Sequence, residues 1–267
     1  MARIVLVHGA FAGAWCWEPV LPGLRAAGHD VEAVDLPGSG ADRTPVESVT
    51  LDAYAERVCH ALEQGDAAVL VGHSMGGMVV TQAAARRPEL VSMLVYLAAF
   101  LPADGQSLMD LTAFPEAADD QVQANLVVQG DPPVATLPAD RARDALYGCC
   151  DDEQARWGIE HLGPQPVVPF AAPVDLGSAS AAFDALPRAY VKCTRDRAIP
   201  PAMQQRMLSA GGCDPVIELD TDHSSWISRT DELVAALDGL AARAWPGPGA
   251  GKARARRAPS DKKASTG

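Results

Sequence analysis

The stretch Gly72-His73-Ser74-Met75-Gly76, with Gly77 behind it, constrains this chain more than any other feature. An apolar run, Ala67 to Val71, leads into it, and a helix-like run, Met78 to Arg87, leads out. A serine between a strand and a helix sits on a sharp turn, the setting in which Gly-x-Ser-x-Gly presents a nucleophile. The glycines have a steric task. Backbone and substrate must approach such a serine closely, and neighbouring side chains would stand in the way. The five-residue pattern is unspecific by itself, so its context has to carry the reading.

That context recurs along the chain. Strand-like runs cover Arg3 to Val7, Asp30 to Val34, Ala67 to Val71, Leu90 to Leu97, Ala189 to Cys193 and Pro215 to Leu219. Helix-like runs cover Trp15 to Ala27 (ending at Gly28), Leu51 to Glu63, Met75 to Arg87, Ala202 to Ala210 and Thr230 to Arg243. Such alternation predicts an α/β fold: a mostly parallel six-stranded sheet with helices on both faces and sites at the carboxyl ends of its strands. The rhythm breaks between 102 and 186. That stretch is richer in Pro and acids and holds short helix-like pieces (Asp119 to Val128, Ala139 to Tyr147, Glu153 to Leu162). It reads as an insertion over the strand ends, a helical lid or cap on a core made of 1–101 and 187–245.

Charge and hydropathy exclude several classes. The net charge is −12, and the tail from Pro246 onward is basic, with Lys252, Arg254, Arg256, Arg257, Lys262 and Lys263 against Asp261. The body before it is therefore strongly acidic, which argues against a nucleic-acid partner. Residues 246–267 read as a disordered basic tail. No apolar run approaches the length of a membrane span, and Ile4 to Val7 runs directly into His8-Gly9 without a signal-peptide core. A cytoplasmic protein, monomer or homodimer, is expected. The cysteines (Cys16, Cys59, Cys149, Cys150, Cys193, Cys213) form no CxxC pair, so neither metal nor redox cofactor is expected, and the thiols read as reduced.

A serine hydroxyl needs a base to take its proton, and the base needs an acid to orient it. Of the histidines after Ser74, His161 falls within the insertion and reads as a surface residue, whereas His223 follows the last strand in Leu219-Asp220-Thr221-Asp222-His223-Ser224. His223 is the expected base. Asp220 and Asp222 are its sequence neighbours and badly placed to reach the far ring nitrogen. Asp196, just past the Ala189 to Cys193 strand, approaches from an adjacent strand end and is the preferred acid. An oxyanion hole requires two fixed N–H donors. Met75 N–H comes with the turn, and Ala10 N–H comes from the loop His8-Gly9-Ala10-Phe11-Ala12-Gly13-Ala14-Trp15, where His8 reads as structural. Gly38-Ser39-Gly40 reads as a turn. Trp15 and Trp17 are expected to pack beneath the first loop.

These motifs, together with Tyr190-Val191-Lys192-Cys193-Thr194-Arg195-Asp196, resemble the α/β-hydrolase superfamily over about Arg3 to Arg243. They look most like the plant methylesterase and hydroxynitrile lyase branch with its bacterial esterase relatives. The resemblance implies Ser74 as nucleophile, Asp196 as acid, His223 as base and Ala10 and Met75 amides as oxyanion donors. This chain departs from the branch at Ala12, where many members carry His. It also departs at Gly9 and Ser224, where the lyases carry Thr and Lys. The implied chemistry is therefore ester hydrolysis.

The expectation is a cofactor-free serine hydrolase of small to medium apolar carboxylic esters, methyl or aryl esters among them. It would form an acyl-enzyme on Ser74, in a pocket to which Phe114, Leu146, Trp157 and Phe170 contribute. Rival readings are a lactonase, thioesterase or cyclase, a hydroxynitrile lyase-like enzyme, and a small-molecule receptor.

Overall fold

The computed structural model describes residues 1–177 and 180–244; the basic tail lies outside them. The strands among these residues are β1 (Arg3–Val7), β2 (Asp30–Val34), β3 (Ala68–His73), β4 (Val91–Leu97), β5 (Val127–Gln129), β6 (Val134–Thr136), β7 (Gln165–Pro166), β8 (Arg188–Cys193) and β9 (Val216–Leu219). The helices of the first half are α1 (Leu21–Ala26), α2 (Leu51–Leu62), α3 (Gly76–Arg86), α4 (Leu108–Thr112) and α5 (Ala139–Leu146). Then come α6 (Asp152–Glu160), α7 (Val168–Ala171), α8 (Ser180–Asp184), α9 (Pro201–Gly211), α10 (Ser225–Ser228) and α11 (Thr230–Ala244).

Six strands form one sheet in the order β2-β1-β3-β4-β8-β9, and every neighbouring pair is parallel. Side chains alternate across a strand, so a strand covered on both faces must be apolar at every position. Ile4, Leu6, Val69 and Val71 enter one apolar cluster with α1 and α11, which supply Leu24, Leu233 and Leu237. Val5, Val7, Ala68 and Leu70 enter the other with α2 and α3, which supply Tyr54, Val58, Val79 and Val80. Continuous apolar runs, which alternation alone would not mark as strands, are thus explained by helices on both faces.

Local chemistry sets the element ends. Thr50 caps α2 by accepting Ala53 N–H at 3.0 Å, and Asp151 caps α6 in a capping box with Gln154. Gly28 follows α1 with φ of 88°, a left-handed backbone that favours glycine.

Two expectations need correction. Trp15 to Ala27 is not one helix: a single 3-10 turn at Ala14–Trp17 precedes α1. Pro19 and Pro22 lack the N–H groups a continuous helix would use. Asp119 to Val128 is not a helix either. It holds a 3-10 turn at Gln123–Asn125 and the start of β5, because the Asp120 carboxylate takes the N–H groups of Val122 and Gln123.

The 102–186 segment contains α4 to α8 and a small antiparallel sheet in the order β5-β6-β7. The six cysteines are free. Among the described residues no helix is long and apolar enough to cross a membrane, and no cluster of His, Cys, Asp and Glu is arranged to hold a metal ion.

Candidate active site

Parallel strands end on one edge of the sheet, and four of those ends lead into the expected site residues. Ala10 follows β1, Ser74 follows β3, Asp196 follows β8 and His223 follows β9. Such an edge is where open α/β sheets collect their functional groups.

Ser74 occupies the junction between β3 and α3 with φ of 56°. A side chain in left-handed backbone costs about 1–2 kcal/mol, so the surroundings must hold it there. Its N–H donates to the Leu97 carbonyl at 3.3 Å, and its carbonyl accepts the N–H groups of Gly77 at 3.0 Å and Phe100 at 3.1 Å. A Cβ on Gly77 would fall on the Phe100 carbonyl oxygen, so α3 can approach the chain just beyond β4 this closely only with glycine there.

His223 and Asp196 meet beside this turn. Nδ1–H of His223 donates to Asp196 Oδ2 at 2.8 Å, and both residues are buried. Asp196 Oδ1 accepts the N–H groups of Ala198 at 2.8 Å and Ile199 at 2.9 Å, which fixes the carboxylate plane. The rival acids point elsewhere. Asp220 pairs with Arg195 at 3.5 Å. Asp222 accepts Cys149 N–H at 2.7 Å and Ser228 Oγ–H at 2.8 Å. Burial would lower the pKa of His223, but the charge of Asp196 and its hydrogen bond, together with the charges of Asp222 and Asp120, outweigh that and raise it above the usual 6.5. With Nδ1 committed to Asp196, Nε2 is the nitrogen left to exchange a proton.

His73 and His8 steady this centre. His73 donates from Nε2 to the His223 carbonyl at 2.9 Å, and its ring lies 4.5 Å from the His223 ring, centre to centre. Burial, with His223 beside it, pushes the His73 pKa well down and keeps the ring neutral. His8 links the ends of β1 and β2: its Nε2 accepts Leu36 N–H at 3.1 Å and its Nδ1–H donates to the Gly9 carbonyl at 2.8 Å. Its role is structural. The loop after β1 is held from the other side by Gly163 N–H on the Phe11 carbonyl at 2.8 Å. Phe11 itself has φ of 64°. Ala10 and Met75 thus each sit beside a residue in left-handed backbone, and among the described residues neither N–H donates to a protein acceptor.

Ala10, Ser74, Met75 and His223 line one cavity of about 220 Å³. Its remaining wall is largely apolar, including Phe100, Leu146, Val167, Phe170, Ile199 and Trp226.

The sequence profile of the alpha/beta hydrolase family matches residues 4–236. The chain belongs to the alpha/beta hydrolase family. The chain is 32% identical to Methylesterase 7 of Arabidopsis thaliana over 253 residues, covering 88% of this chain and 94% of that protein. It is 31% identical to Salicylic acid-binding protein 2 of Nicotiana tabacum over 252 residues, covering 88% and 95%. It spans a smaller share of two further Arabidopsis thaliana relatives: 54% of Putative methylesterase 13, chloroplastic, and 62% of Putative methylesterase 11, chloroplastic. Among solved structures, polyneuridine aldehyde esterase superposes with a TM-score of 0.79 at 25% identity, covering 90% of this chain and 99% of that one. A pyrethroid hydrolase superposes with a TM-score of 0.78 at 25% identity, covering 90% and 97%.

Of the four expected pocket residues, Leu146 and Phe170 face the cavity, but Phe114 and Trp157 do not. Phe114 lies under the Arg206 guanidinium, 3.8 Å from its ring centre, where the cation finds the ring face. Trp157, half-buried, packs edge-on against Trp15 at 5.3 Å and Trp226 at 6.3 Å in an aromatic cluster, and is itself outside the cavity lining. Trp17 is fully buried beneath the loop after β1, and His161 is exposed against Trp15.

The sequence reading missed three residues. Gln204 of α9 holds the Asp196 loop through the Cys193 and Ile199 carbonyls, at 3.1 and 2.8 Å. Tyr147 lines the cavity from the end of α5. Asp120 is a buried carboxylate in the cavity wall. Only Asp120 left a local signal, a carboxylate followed by backbone N–H groups it can capture.

Gly9 is where the lyases carry Thr. Here a Cβ at position 9 would lie 2.6 Å from Ser74 Cβ and 3.2 Å from the His73 carbonyl oxygen. Gly9→Thr should therefore push Ser74 off its turn and lower kcat/KM about 100-fold. Steady-state hydrolysis of p-nitrophenyl acetate, with circular dichroism as a check on folding, measures it.

Proposed function

We propose that this protein is a serine hydrolase of carboxylic esters. The observation that carries the reading is the 2.8 Å hydrogen bond to Asp196 from His223, which lines the same cavity as Ser74 on its strained turn. Ser74 Oγ attacks the ester carbonyl carbon while His223 Nε2 takes the hydroxyl proton. The Ala10 and Met75 N–H groups hold the oxyanion of the tetrahedral intermediate. That intermediate collapses, the carbon–oxygen bond to the alcohol breaks, and His223 returns its proton to the leaving oxygen. Water, deprotonated by His223, then cleaves the acyl-Ser74 ester and releases the carboxylic acid. Ligand pockets commonly run from about 300 to 1,000 Å³, so the cavity here fits small esters with a largely apolar acyl portion, methyl and aryl esters among them. The 102–186 segment supplies much of its wall and acts as a lid. Relatives named as methylesterases and neighbours named as an aldehyde esterase and a pyrethroid hydrolase support the same chemistry.

The test is a fluorophosphonate probe followed by mass spectrometry of the intact protein and its peptides. One adduct on Ser74 is expected. Folded protein that takes no label on Ser74 would overturn the assignment and favour a binding role, the property for which the tobacco relative is named.

His223 must be neutral to act as base, and its pKa is raised. Activity should therefore increase as pH rises, with an acid limb in kcat/KM above the 6.5 of an ordinary histidine. A kcat/KM profile from pH 5 to 9 checks this, and a limb below 6.5 would contradict the Asp196–His223 coupling.

A further inference from the structure

Among the described residues that line the cavity, Asp120 alone carries a carboxylate. Only 6% of its surface is exposed. Its Oδ1 accepts the N–H groups of Val122 and Gln123, at 2.8 Å each. Its Oδ2 makes no hydrogen bond to the protein among the described residues, so it is the acceptor left for the cavity. Next door, Gln121 N–H donates to the Arg197 carbonyl at 2.8 Å and ties this turn to the Asp196 loop.

The charged groups that act on Asp120 are Asp196 and His223, and among the described residues no cation pairs with it; the Arg197 guanidinium engages Asp144. Burial pushes the Asp120 carboxyl up to about 6 against the pull of its two backbone donors, so it is ionised at pH 7.5. A buried carboxylate with a free oxygen is unfavourable until a donor meets it. His223 hands its proton to the leaving oxygen, so the alcohol portion of the substrate departs beside His223, the side on which Asp120 stands.

We propose that Asp120 is a specificity residue, and that it selects esters whose alcohol portion carries a hydrogen-bond donor, a hydroxyl or a protonated amine. This rests on the serine-hydrolase reading above. The same carboxylate repels alcohols that bear an anionic group. Apolar packing along the acyl chain and one charged acceptor on the alcohol side give the cavity its polarity.

The experiment compares isosteric esters at pH 7.5. One pair is 2-(dimethylamino)ethyl butyrate, protonated at nitrogen, with 3-methylbutyl butyrate; the other is 2-hydroxyethyl butyrate with propyl butyrate. The donor-bearing ester should have the higher kcat/KM in each pair, by about tenfold or more for the amine. Asp120→Asn keeps an oxygen for the Val122 and Gln123 N–H groups, so the turn survives. It should lower the amine ratio about tenfold, and Asp120→Leu should lower it further. A ratio that is the same in wild type and both variants overturns the proposal. Fluorophosphonate labelling of Ser74, run in parallel, separates the two readings. Labelling with an unmoved ratio overturns the role of Asp120 alone. Where Ser74 takes no label and no ester is turned over, the hydrolase reading falls, and calorimetric binding to Ser74→Ala and Ser74→Ala/Asp120→Asn decides the role of Asp120. Tighter binding of the amine ester, lost in the double variant, supports it, and equal affinities overturn it.

Discussion

Ser74→Ala should reduce kcat for p-nitrophenyl acetate by about five orders of magnitude while the protein remains folded. The size follows from how the centre works. On the proposed serine-hydrolase reading, Ser74 and His223 act as one unit, and removing the nucleophile alone from such a unit costs about as much as removing the whole of it. What survives is acceleration by the oxyanion donors and by binding, about 10³- to 10⁴-fold over water. The fold should survive because the backbone of Ser74 is held by Leu97, Gly77 and Phe100, and those bonds do not involve the hydroxyl. The strained φ is also one that alanine can adopt at a cost similar to that of serine. Burst kinetics and the fluorophosphonate adduct should vanish together with turnover. A Ser74→Ala protein that hydrolyses p-nitrophenyl acetate at the wild-type rate would show that another group carries the chemistry.

Much of this centre was legible because its parts obey short-range rules. The sheet edge can be found from the ends of apolar runs, and Gly-x-Ser-x-Gly from a strand that meets a helix. Asp196 was separable from Asp220 and Asp222 by reach alone, and the structure gives the other two their own partners, Arg195 for one and Ser228 with the Cys149 N–H for the other. The cavity wall was not legible in the same way. Phe114 and Trp157 have the composition of pocket residues, but their partners, Arg206 on α9 and Trp15 after β1, are remote in sequence. Asp120 was hidden for a related reason. Apolar spacing around it predicts a helix, and the competing event is a side chain capturing two backbone N–H groups, which periodicity does not register. In both cases tertiary contact decided between locally similar options.

Asp196→Asn should lower kcat about 10⁴-fold with little change in the fold, and it tests the geometry more sharply than removal of either neighbour. Asp196 Oδ1 is fixed by the N–H groups of Ala198 and Ile199, so in the variant the amide oxygen must occupy that position. The NH₂ group then falls where Oδ2 was, facing His223 Nδ1 at a separation of 2.8 Å in the native protein. Two N–H groups cannot share that contact, so Nδ1 must give up its proton and become the acceptor. The proton moves to Nε2, the nitrogen that should take the Ser74 proton, and the base is lost although every atom stays near its place. The pH profile should change as well. Asp196 raises the pKa of His223 through its charge and its hydrogen bond, and without them burial, which lowers it, is opposed only by the charges of Asp222 and Asp120. The acid limb of the residual activity should therefore move to lower pH than in wild type. A plain packing defect would reduce activity without moving that limb, so a kcat/KM profile of the variant distinguishes loss of the tautomer from loss of structure. A profile with an unmoved limb and less than about a tenfold fall in kcat would mean that Asp196 is not the group that orients His223.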